Sequence, residues 1–482
     1  MLTPNNLQPA RLGSVTRHWQ APISERRLLL MMGDVFAAEI SVVVALDLWA
    51  LHASTPFGVS FVLAHWYWFV ALPVLWLVLA SAYDYYDLRV AARARQSLVR
   101  LALIAAQTLA IYFIIFFLSP RGALPRRFVV YYAVISLLLI GIWRACRLFL
   151  IGWTGFRRRA LIVGVGGPAD AMWRVLKDQA HGDYHVVGRV VSHRDLATVA
   201  HVPDVLGTGD DLPELVRQFE VSELVMAYLN EVPDDVFTGV MTCYEQGAEV
   251  VPVTTLYEEI TGRVLVEHVE AHLWTLVLPP ETHSFTHAAY LAIKRILDVL
   301  FALAGLSVFA LLLPFLSLLI KSDSPGPVFY RQQRLGKGGR SFIVLKLRSM
   351  VADAEGDSGP QWATQGDGRV TRVGRFLRKT RFDELPQLTN VLRGDMSIVG
   401  PRPERPEFVA LLSQEIPFYR TRLAVKPGLT GWAQVRYPYG SSVQDALHKL
   451  QYDLYYIRHQ TLALDIRIIL RTVGTVLLLR GT

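Results

Sequence analysis

Residues 296–320 read ILDVLFALAGLSVFALLLPFLSLLI. The run exceeds the roughly 20 apolar residues needed to cross a bilayer. Cations flank both sides, Lys294 and Arg295 before it and Lys321 after it. Pro314 lies inside, where it removes a helix hydrogen bond and favours a kink. A kinked helix that enters and returns keeps both ends on one side. A spanning helix also tolerates proline, so the run alone leaves both arrangements open. Either way it ties the residues after it to a membrane.

Upstream, four further apolar stretches occupy about 28–51, 59–80, 98–118 and 128–151. Each approaches the length of a span, and aromatic clusters sit near their ends (Trp66, Tyr67, Trp68; Tyr131, Tyr132), as interfacial belts do. Arg11, Arg17, Arg26 and Arg27 precede the first stretch, and Arg89, Arg93 and Arg95 follow the second. Arg144, Arg147 and Arg157 to Arg159 end or follow the fourth. The positive-inside rule then places the N-terminus and everything after residue 151 in the cytoplasm. Arg121, Arg126 and Arg127 run against that assignment. Asp34, Glu39 and Asp47 lie in the first stretch and are read as packing or interface residues. The polar first 27 residues and the long apolar stretch after them do not read as a cleaved signal.

The overall hydrophobic fraction of 52% and mean hydropathy of +0.31 agree with a membrane protein. The formal charge of +8 divides unevenly. Residues 1–151 carry a net +7, residues 152–293 a net −11, and residues 294–482 a net +12. Alternating sign points to three parts with different partners. The basic C-terminal part suits lipid headgroups or phosphorylated substrates. It shows no zinc-ligand spacing and no base-reading signature, which argues against nucleic acid. Cys146 and Cys243 are too few and too distant in sequence for a disulfide scaffold, and a reducing compartment fits.

Residues 159–280 alternate strand-like and helix-like segments, which predicts a Rossmann-like, doubly wound parallel α/β domain. RRALIVGVGG (158–167) is a strand running into a glycine turn. Gly164 to Ala169 fits G-x-G-x-x-A, the dinucleotide fingerprint in its loosest form. Ser192 and His193 stand where the ribose-binding acid belongs, and Asp195 comes late. The glycines therefore read first as a tight turn and second as a nucleotide site.

The densest chemistry is Arg378-Lys379-Thr380-Arg381-Phe382-Asp383-Glu384-Leu385-Pro386-Gln387. Thr380 and Asp383 have capping-box spacing, which predicts Asp383 near a helix N-terminus. A carboxylate held ionised beside a bound phosphate can attack phosphorus. A second carboxylate can hold a divalent metal on the phosphate oxygens. From these ten residues alone, a solvated helix cap with ordinary surface ion pairs is the better reading. Three neighbours shift the balance: Lys346-Leu347-Arg348-Ser349-Met350, Gly400-Pro401-Arg402-Pro403, and Lys426-Pro427-Gly428-Leu429-Thr430-Gly431-Trp432. Together they offer Arg and Lys clamps for a diphosphate.

SPGPVFYRQQRLGKGG, FIVLKLRSM, RKTRFDELPQLTNVLRGDMSIVGPRP, KPGLTGWAQV and KLQYDLYYI, in this order, resemble the bacterial sugar transferase family, the monotopic phosphoglycosyl transferases. The resemblance covers roughly 290–482, and the upstream layout is similar to the long form that initiates exopolysaccharide or O-antigen synthesis. It implies transfer of a hexose-1-phosphate, glucose or galactose, from a UDP-sugar to polyprenyl (undecaprenyl) phosphate at the inner membrane. It implies Asp383 as nucleophile, Glu384 as the Mg²⁺ carboxylate, Arg378 and Arg402 as phosphate-binding arginines, and Lys346 and Arg348 as a further substrate pair. It also implies a re-entrant membrane helix over about 294–321, broken at Pro314.

The expected organisation is thus four transmembrane helices (1–151), a Rossmann-like domain (152–285) and a transferase domain (286–482) whose catalytic core is 322–482. Many family members carry Ser where Arg381 stands, and Ser-Pro where Leu313-Pro314 stands. Two rivals follow from the residues. A membrane-anchored NAD-dependent nucleotide-sugar dehydratase would use Gly164, Gly166 and the pair Tyr290-x-x-x-Lys294. A non-catalytic scaffold would sense a nucleotide through the α/β domain. Tyr452, Tyr455 and Tyr456 read as packing rather than sugar platforms. A homodimer through the acidic α/β domain is one arrangement the sequence allows.

Overall fold

The structure, a computed structural model, describes residues 25–53, 55–86, 94–118, 126–146, 157–197, 204–267, 285–351, 367–438, 440 and 442–477. Arg11, Arg17, Arg89, Arg93, Arg121 and Arg147, which carry much of the orientation argument, lie outside them, as does the 151/152 boundary. The boundary expected at 285 abuts the undescribed stretch 268–284.

The first apolar helices are α1 (Glu25–Ala53), α2 (Val59–Ala64), α3 (Trp68–Ala82), α4 (Ala94–Leu118) and α5 (Arg126–Ala145). Val42, Leu46, Trp68, Tyr112, Phe128 and Tyr132 form a shared core between them. One expectation is corrected here. The second predicted span is not one helix but two, α2 and α3, interrupted at His65-Trp66-Tyr67. His65 turns its ring to the Phe61 carbonyl at 2.8 Å and joins a cluster with Trp49, Phe61 and Tyr67. A polar aromatic group inside an apolar run ends the regular helix, and α3, at about 1.5 Å per residue, is short for a span. Among the described residues, the helices long and apolar enough to cross a membrane are Leu28–Ala53, Arg95–Phe117, Arg127–Ala145 and Phe285–Asp323. Asp34 is fully buried and paired with Arg144 at 2.6 Å, so the acid in the first helix is a packing residue, as expected.

The chain divides into two compact units. One holds residues 143–253 with short flanking pieces, and its centre is a five-stranded parallel sheet. The strands are β1 (Arg158–Val163), β2 (Tyr184–Val191), β3 (Val205–Thr208), β4 (Glu223–Met226) and β5 (Glu249–Pro252), in the order β3-β2-β1-β4-β5. The order reverses between β1 and β4, the doubly wound arrangement expected from the alternating pattern. Leu161, Val163, Val190, Leu224, Val236 and Cys243 make its core. Gly164 (φ +132°) and Gly166 (φ +82°) make the turn after β1, a conformation that requires glycine. Tyr228 packs against that turn, where a Cβ on Gly164 would come within 3.3 Å of its ring. Its hydroxyl donates to Asp195 at 2.7 Å and accepts from the Ser192 amide. The late acid after β2 is thus engaged by the protein itself.

The other unit joins most of the apolar helices to residues 254–482. Helix α6 (Phe285–Asp323) runs on through Pro314. Asp298, Ala302, Phe309, Leu316 and Ile320 are buried along it, at helical spacings of a single stripe. That stripe meets a hairpin of β6 (Phe329–Leu335) and β7 (Ser341–Leu347), and helices α7 (Arg372–Thr380) and α8 (Leu388–Arg393). Opposite it, Leu300, Leu311, Phe315 and Leu318 are exposed, a face suited to lipid. Strands β8 (Ser397–Val399) and β9 (Gly428–Thr430) run parallel and lie in close contact. A Cβ on Gly428 would sit 2.1 Å from the Gly400 nitrogen, so the glycines of the GPRP and KPGLTG motifs exist to let two backbones cross.

Helices α9 (Trp432–Arg436), α10 (Val443–Arg458) and α11 (Leu462–Leu477) complete the unit. Helix α11 docks on the end of α3. Arg471 is buried against Asp84 and the Ala82 carbonyl, and Tyr83 donates to the Leu470 carbonyl at 3.0 Å. Arg436 also pairs with Asp84, at 2.8 Å. Both guanidiniums lie over Trp432, at 4.5 and 5.2 Å.

Candidate active site

Helix α7 begins at Thr371, whose hydroxyl accepts the Gly374 amide as an N-cap. It is rich in Arg and ends at Arg381, a non-glycine residue in the left-handed region (φ +57°). That reversal drops the chain into a tight turn, Phe382–Gln387, against β7. Asp383 and Glu384 are its second and third residues, and both are buried. The expected capping box does not form. Thr380 is the last residue of α7, and its hydroxyl donates back to the Phe376 and Leu377 carbonyls, so Arg381 takes the cap position instead.

Cations converge on the pair. Arg402 donates to Glu384 Oε1 at 2.6 Å. Lys346 Nζ stands 4.0 Å from the same oxygen, and Arg381 lies 3.6 Å from Oε2. Lys346 reaches in because β7 ends beside the turn and its side chain shares a hairpin face with Val344, which is core. Arg378 is held by Ser349 Oγ at 3.0 Å, where its charge favours the ionised form of Asp383.

The two carboxylates are pushed apart. Burial raises Asp383, and the neighbouring negative Glu384 raises it further, to about 6, with Lys346, Arg378 and Arg402 pulling the other way. Burial would raise Glu384 too, but Arg402, Lys346 and Arg381 more than reverse it and hold it well below the usual range. Lys346 is itself lowered to about 8, by burial first and by Arg402 next. One carboxylate is therefore permanently anionic and clamped. Its neighbour is basic for an aspartate and still ionised at neutral pH.

Not every expected residue reaches this place. Arg348 is buried with its guanidinium donating to the Pro325, Ser324 and Ile320 carbonyls, at the C-terminal end of α6. The freed carbonyls of a helix end are its partners, not the carboxylate pair. Trp432 is buried, its indole donating to the Gly262 carbonyl, and is not a substrate platform. Tyr456 is buried and Tyr455 stacks on Trp432, as the packing reading expects. The dehydratase pair is also accounted for. Tyr290 and Lys294 both donate to Asp465 Oδ2, at 2.9 and 2.8 Å, and Tyr456 donates to Oδ1 at 2.9 Å.

Sequence reading overlooked Arg422. It is buried, donates to Asp453 at 2.8 Å, to the Tyr419 hydroxyl at 2.6 Å and to the Arg402 backbone carbonyl at 3.1 Å. It fixes the segment that carries Arg402. Its only local signal was a charge near KPGLTGW. Asp453 stands in KLQYDLYYI, which was read for its tyrosines.

Among the described residues no group of three or more His, Cys, Asp or Glu side chains is placed to hold a metal. Asp383 and Glu384 nonetheless offer adjacent hard oxygen donors, and among the described residues the ion pair at Glu384 Oε2 is the longer 3.6 Å one to Arg381. Such a set suits Mg²⁺, which takes one or two carboxylates and completes its shell with substrate phosphate and water.

A buried, cation-ringed carboxylate pair on a chain with membrane-length helices has the equipment of a membrane phosphoglycosyl transferase. Residues 289–479 match the family model for bacterial sugar transferases, and residues 81–231 match that for a CoA-binding domain. A UDP-N-acetylgalactosamine-undecaprenyl-phosphate N-acetylgalactosaminephosphotransferase from Aeromonas hydrophila is 44% identical over 47% of this chain, and the chain spans 51% of that protein's length. A UDP-glucose:undecaprenyl-phosphate glucose-1-phosphate transferase from Escherichia coli is 33% identical over 71% of this chain and 73% of its own. Its namesake from Caulobacter vibrioides is 48% identical over 38% of this chain and 69% of its own. The chain belongs to the bacterial sugar transferase family and is a membrane phosphoglycosyl transferase.

Proposed function

We propose that this protein moves a sugar-1-phosphate, carrying a hexose or an acetamidohexose, from a UDP-sugar to undecaprenyl phosphate at the cytoplasmic face of the bacterial inner membrane. The product starts an exopolysaccharide or O-antigen repeat. The observation that carries the reading is a pair of adjacent buried carboxylates with Arg402, Lys346 and Arg381 gathered at Glu384. Asp383 is the nucleophile. A carboxylate oxygen attacks the β-phosphorus of the donor, the bond to the bridging oxygen breaks, and UMP leaves with that electron pair. Undecaprenyl phosphate then attacks the same phosphorus and Asp383 is released. Raised basicity favours attack, and a value near 6 keeps the carboxylate ionised at neutral pH. Lys346, Arg378 and Arg402 oppose the charge of the diphosphate oxygens. Glu384 holds Arg402 in place. A Mg²⁺ held by Glu384, with Asp383 beside it, would supply further positive charge against the phosphates.

In this reading α6 is re-entrant, and a transferase domain (286–482) follows a Rossmann-like domain (152–285) and the N-terminal membrane helices (1–151). Both ends of α6 are held by the same core, which supports re-entrance. Near its start Asp298 accepts from Ser397 Oγ and the Ile398 amide, and at its end Asp323 accepts from the Val373 amide. Single cysteines at 289 and 322 should label from the same, cytoplasmic, side.

The test is UMP release by detergent-purified protein with Mg²⁺, a panel of UDP-sugars and undecaprenyl phosphate. Mass spectrometry without the lipid acceptor should find one sugar-phosphate on the protein. Asp383→Asn should show neither. Release of UMP without any adduct would replace the two-step route by direct transfer.

A further inference from the structure

The hairpin that delivers Lys346 carries a second row of side chains that the chemistry above does not use. In its register Tyr330 stands directly across from Lys346, Gln332 from Val344, and Arg334 from Phe342. Directly opposed and alternate residues share one face of a hairpin, so Tyr330, Gln332 and Arg334 line up beside the lysine that reaches Glu384. The row is bonded end to end. Arg334 Nε donates to Gln332 Oε1 at 3.1 Å, and Gln332 Nε2 donates to the Tyr330 hydroxyl at 3.3 Å. Its far end joins the active site, because Arg334 also donates to the Pro403 carbonyl, next to Arg402, at 3.1 Å, and lies 3.5 Å from Glu404. Yet Tyr330 is 41% exposed. A half-exposed aromatic ring beside an amide of fixed orientation, leading away from a phosphate-binding cluster, is an arrangement for a flat polar ligand.

We propose that Tyr330, Gln332 and Arg334 form the subsite for the nucleobase of the nucleotide-sugar donor, with Tyr330 stacking on the base and Gln332 reading its edge. The inference rests on the transferase reading above. A base is favoured over the sugar because the row offers one ring and one amide. A pyrimidine needs a stacking surface and a donor–acceptor edge, whereas a pyranose needs partners for hydroxyls around its rim. A base is favoured over the polyprenyl chain because every member of the row is polar-tipped and mutually bonded. Large exposed apolar groups lie instead along α6 and, at Phe329 and Ile343, on the hairpin's other face.

The experiment uses the full chain in detergent. UMP affinity is measured by equilibrium binding, and steady-state constants are measured for the UDP-sugar that wild type uses and for undecaprenyl phosphate. Tyr330→Leu and, separately, Gln332→Leu are each expected to weaken UMP binding about ten-fold, the scale of one base–aromatic stack or one base-edge contact. The loss should appear in KM for the donor and not in KM for the lipid. Gln332→Leu should also narrow the preference for the UDP-sugar over the same sugar on another nucleoside diphosphate. Folded variants with wild-type UMP affinity and wild-type base preference would overturn the subsite while leaving the transferase intact. So would a change confined to the lipid KM or to sugar preference. A wild-type protein that binds no UMP and releases none from any donor would overturn the transferase reading itself.

Discussion

Two buried acidic clusters in the C-terminal unit look alike on a list of residues and differ in kind. Around Asp465, one carboxylate receives three donors at 2.8–2.9 Å, from Tyr290, Lys294 and Tyr456. Every contact is of hydrogen-bond length. Beside Asp383, three cations stand at 2.6, 3.6 and 4.0 Å from Glu384, and of these three Arg402 alone is at hydrogen-bond length. The first cluster is closed and holds α6 to α11. The second is unsettled, with two like charges side by side and positive groups standing off. Burial of charge is common to both, and the difference in saturation is what favours the second as the proposed reaction centre.

The comparison can be broken by substituting each cluster in turn. Asp383→Asn should lower UMP release by about four orders of magnitude, the scale of losing a covalent nucleophile. It should not destabilise the protein. Folding forces a repelled, desolvated carboxylate into place, so neutralising it should stabilise by roughly 1–3 kcal/mol, read as a raised thermal midpoint at pH 7.5. A lowered midpoint would mean that Asp383 is held by bonds that its position does not suggest. Asp465→Ala should do the opposite. It strands Lys294 in a buried site, at a cost of about 3–5 kcal/mol. The fraction that still folds should keep a near-normal kcat. A folded Asp465→Ala protein with full stability would erase the distinction between the two clusters.

How much of this was legible beforehand follows the same line. That Lys346 and Arg402 gather beside Asp383 and Glu384 was legible through the neighbouring motifs and the family resemblance, because the residue types around Asp383 taken alone favour a solvated helix cap. The parallel sheet was legible because alternation and the Gly164 turn are local properties. What was not legible depends on neighbours far along the chain. Arg348 shares its motif with Lys346, but β7 ends at Leu347, and past the strand's end Arg348 turns to the end of α6. Thr380 has capping-box spacing, but α7 continues through it. The break at His65 lies inside a run long enough to read as one span, and its ring–carbonyl bond to Phe61 is visible only in the fold. Arg422 and Asp453 are 31 residues apart and meet only in the fold.

A smaller effect sharpens the account of the active cluster. Arg402→Gln removes the one cation in full contact with Glu384 and one that also lowers Asp383. Donor kcat/KM should fall about a hundred-fold, the scale of losing a charged donor at a transition state. Asp383 should then titrate higher than in wild type. Arg402→Lys keeps the charge but loses the fork, so it should recover only part of the rate.

The smallest effect is also the most specific to this pairing of groups. The donor half-reaction needs Asp383 ionised, so its rate should rise with pH through a limb near 6. Lys346 has been lowered to about 8, so the rate should fall again as its charge is lost above that value. The expected profile of kcat/KM for the donor is a bell between about 6 and 8. Stability should run differently across the acid side. Asp383 is raised on folding, so between about pH 4 and 6 the folded state holds a proton that the unfolded state has released. Its contribution therefore declines as pH rises through that window. Glu384 has the opposite sign, and its contribution is lost only as pH falls below its ordinary range. Lys346→Arg separates the two limbs, because arginine stays charged across the range. The alkaline limb should disappear and the acid limb should stay. If the alkaline limb stayed in Lys346→Arg, the group behind it would not be Lys346, and the cation ring around Glu384 would have to act through Arg402 and Arg381.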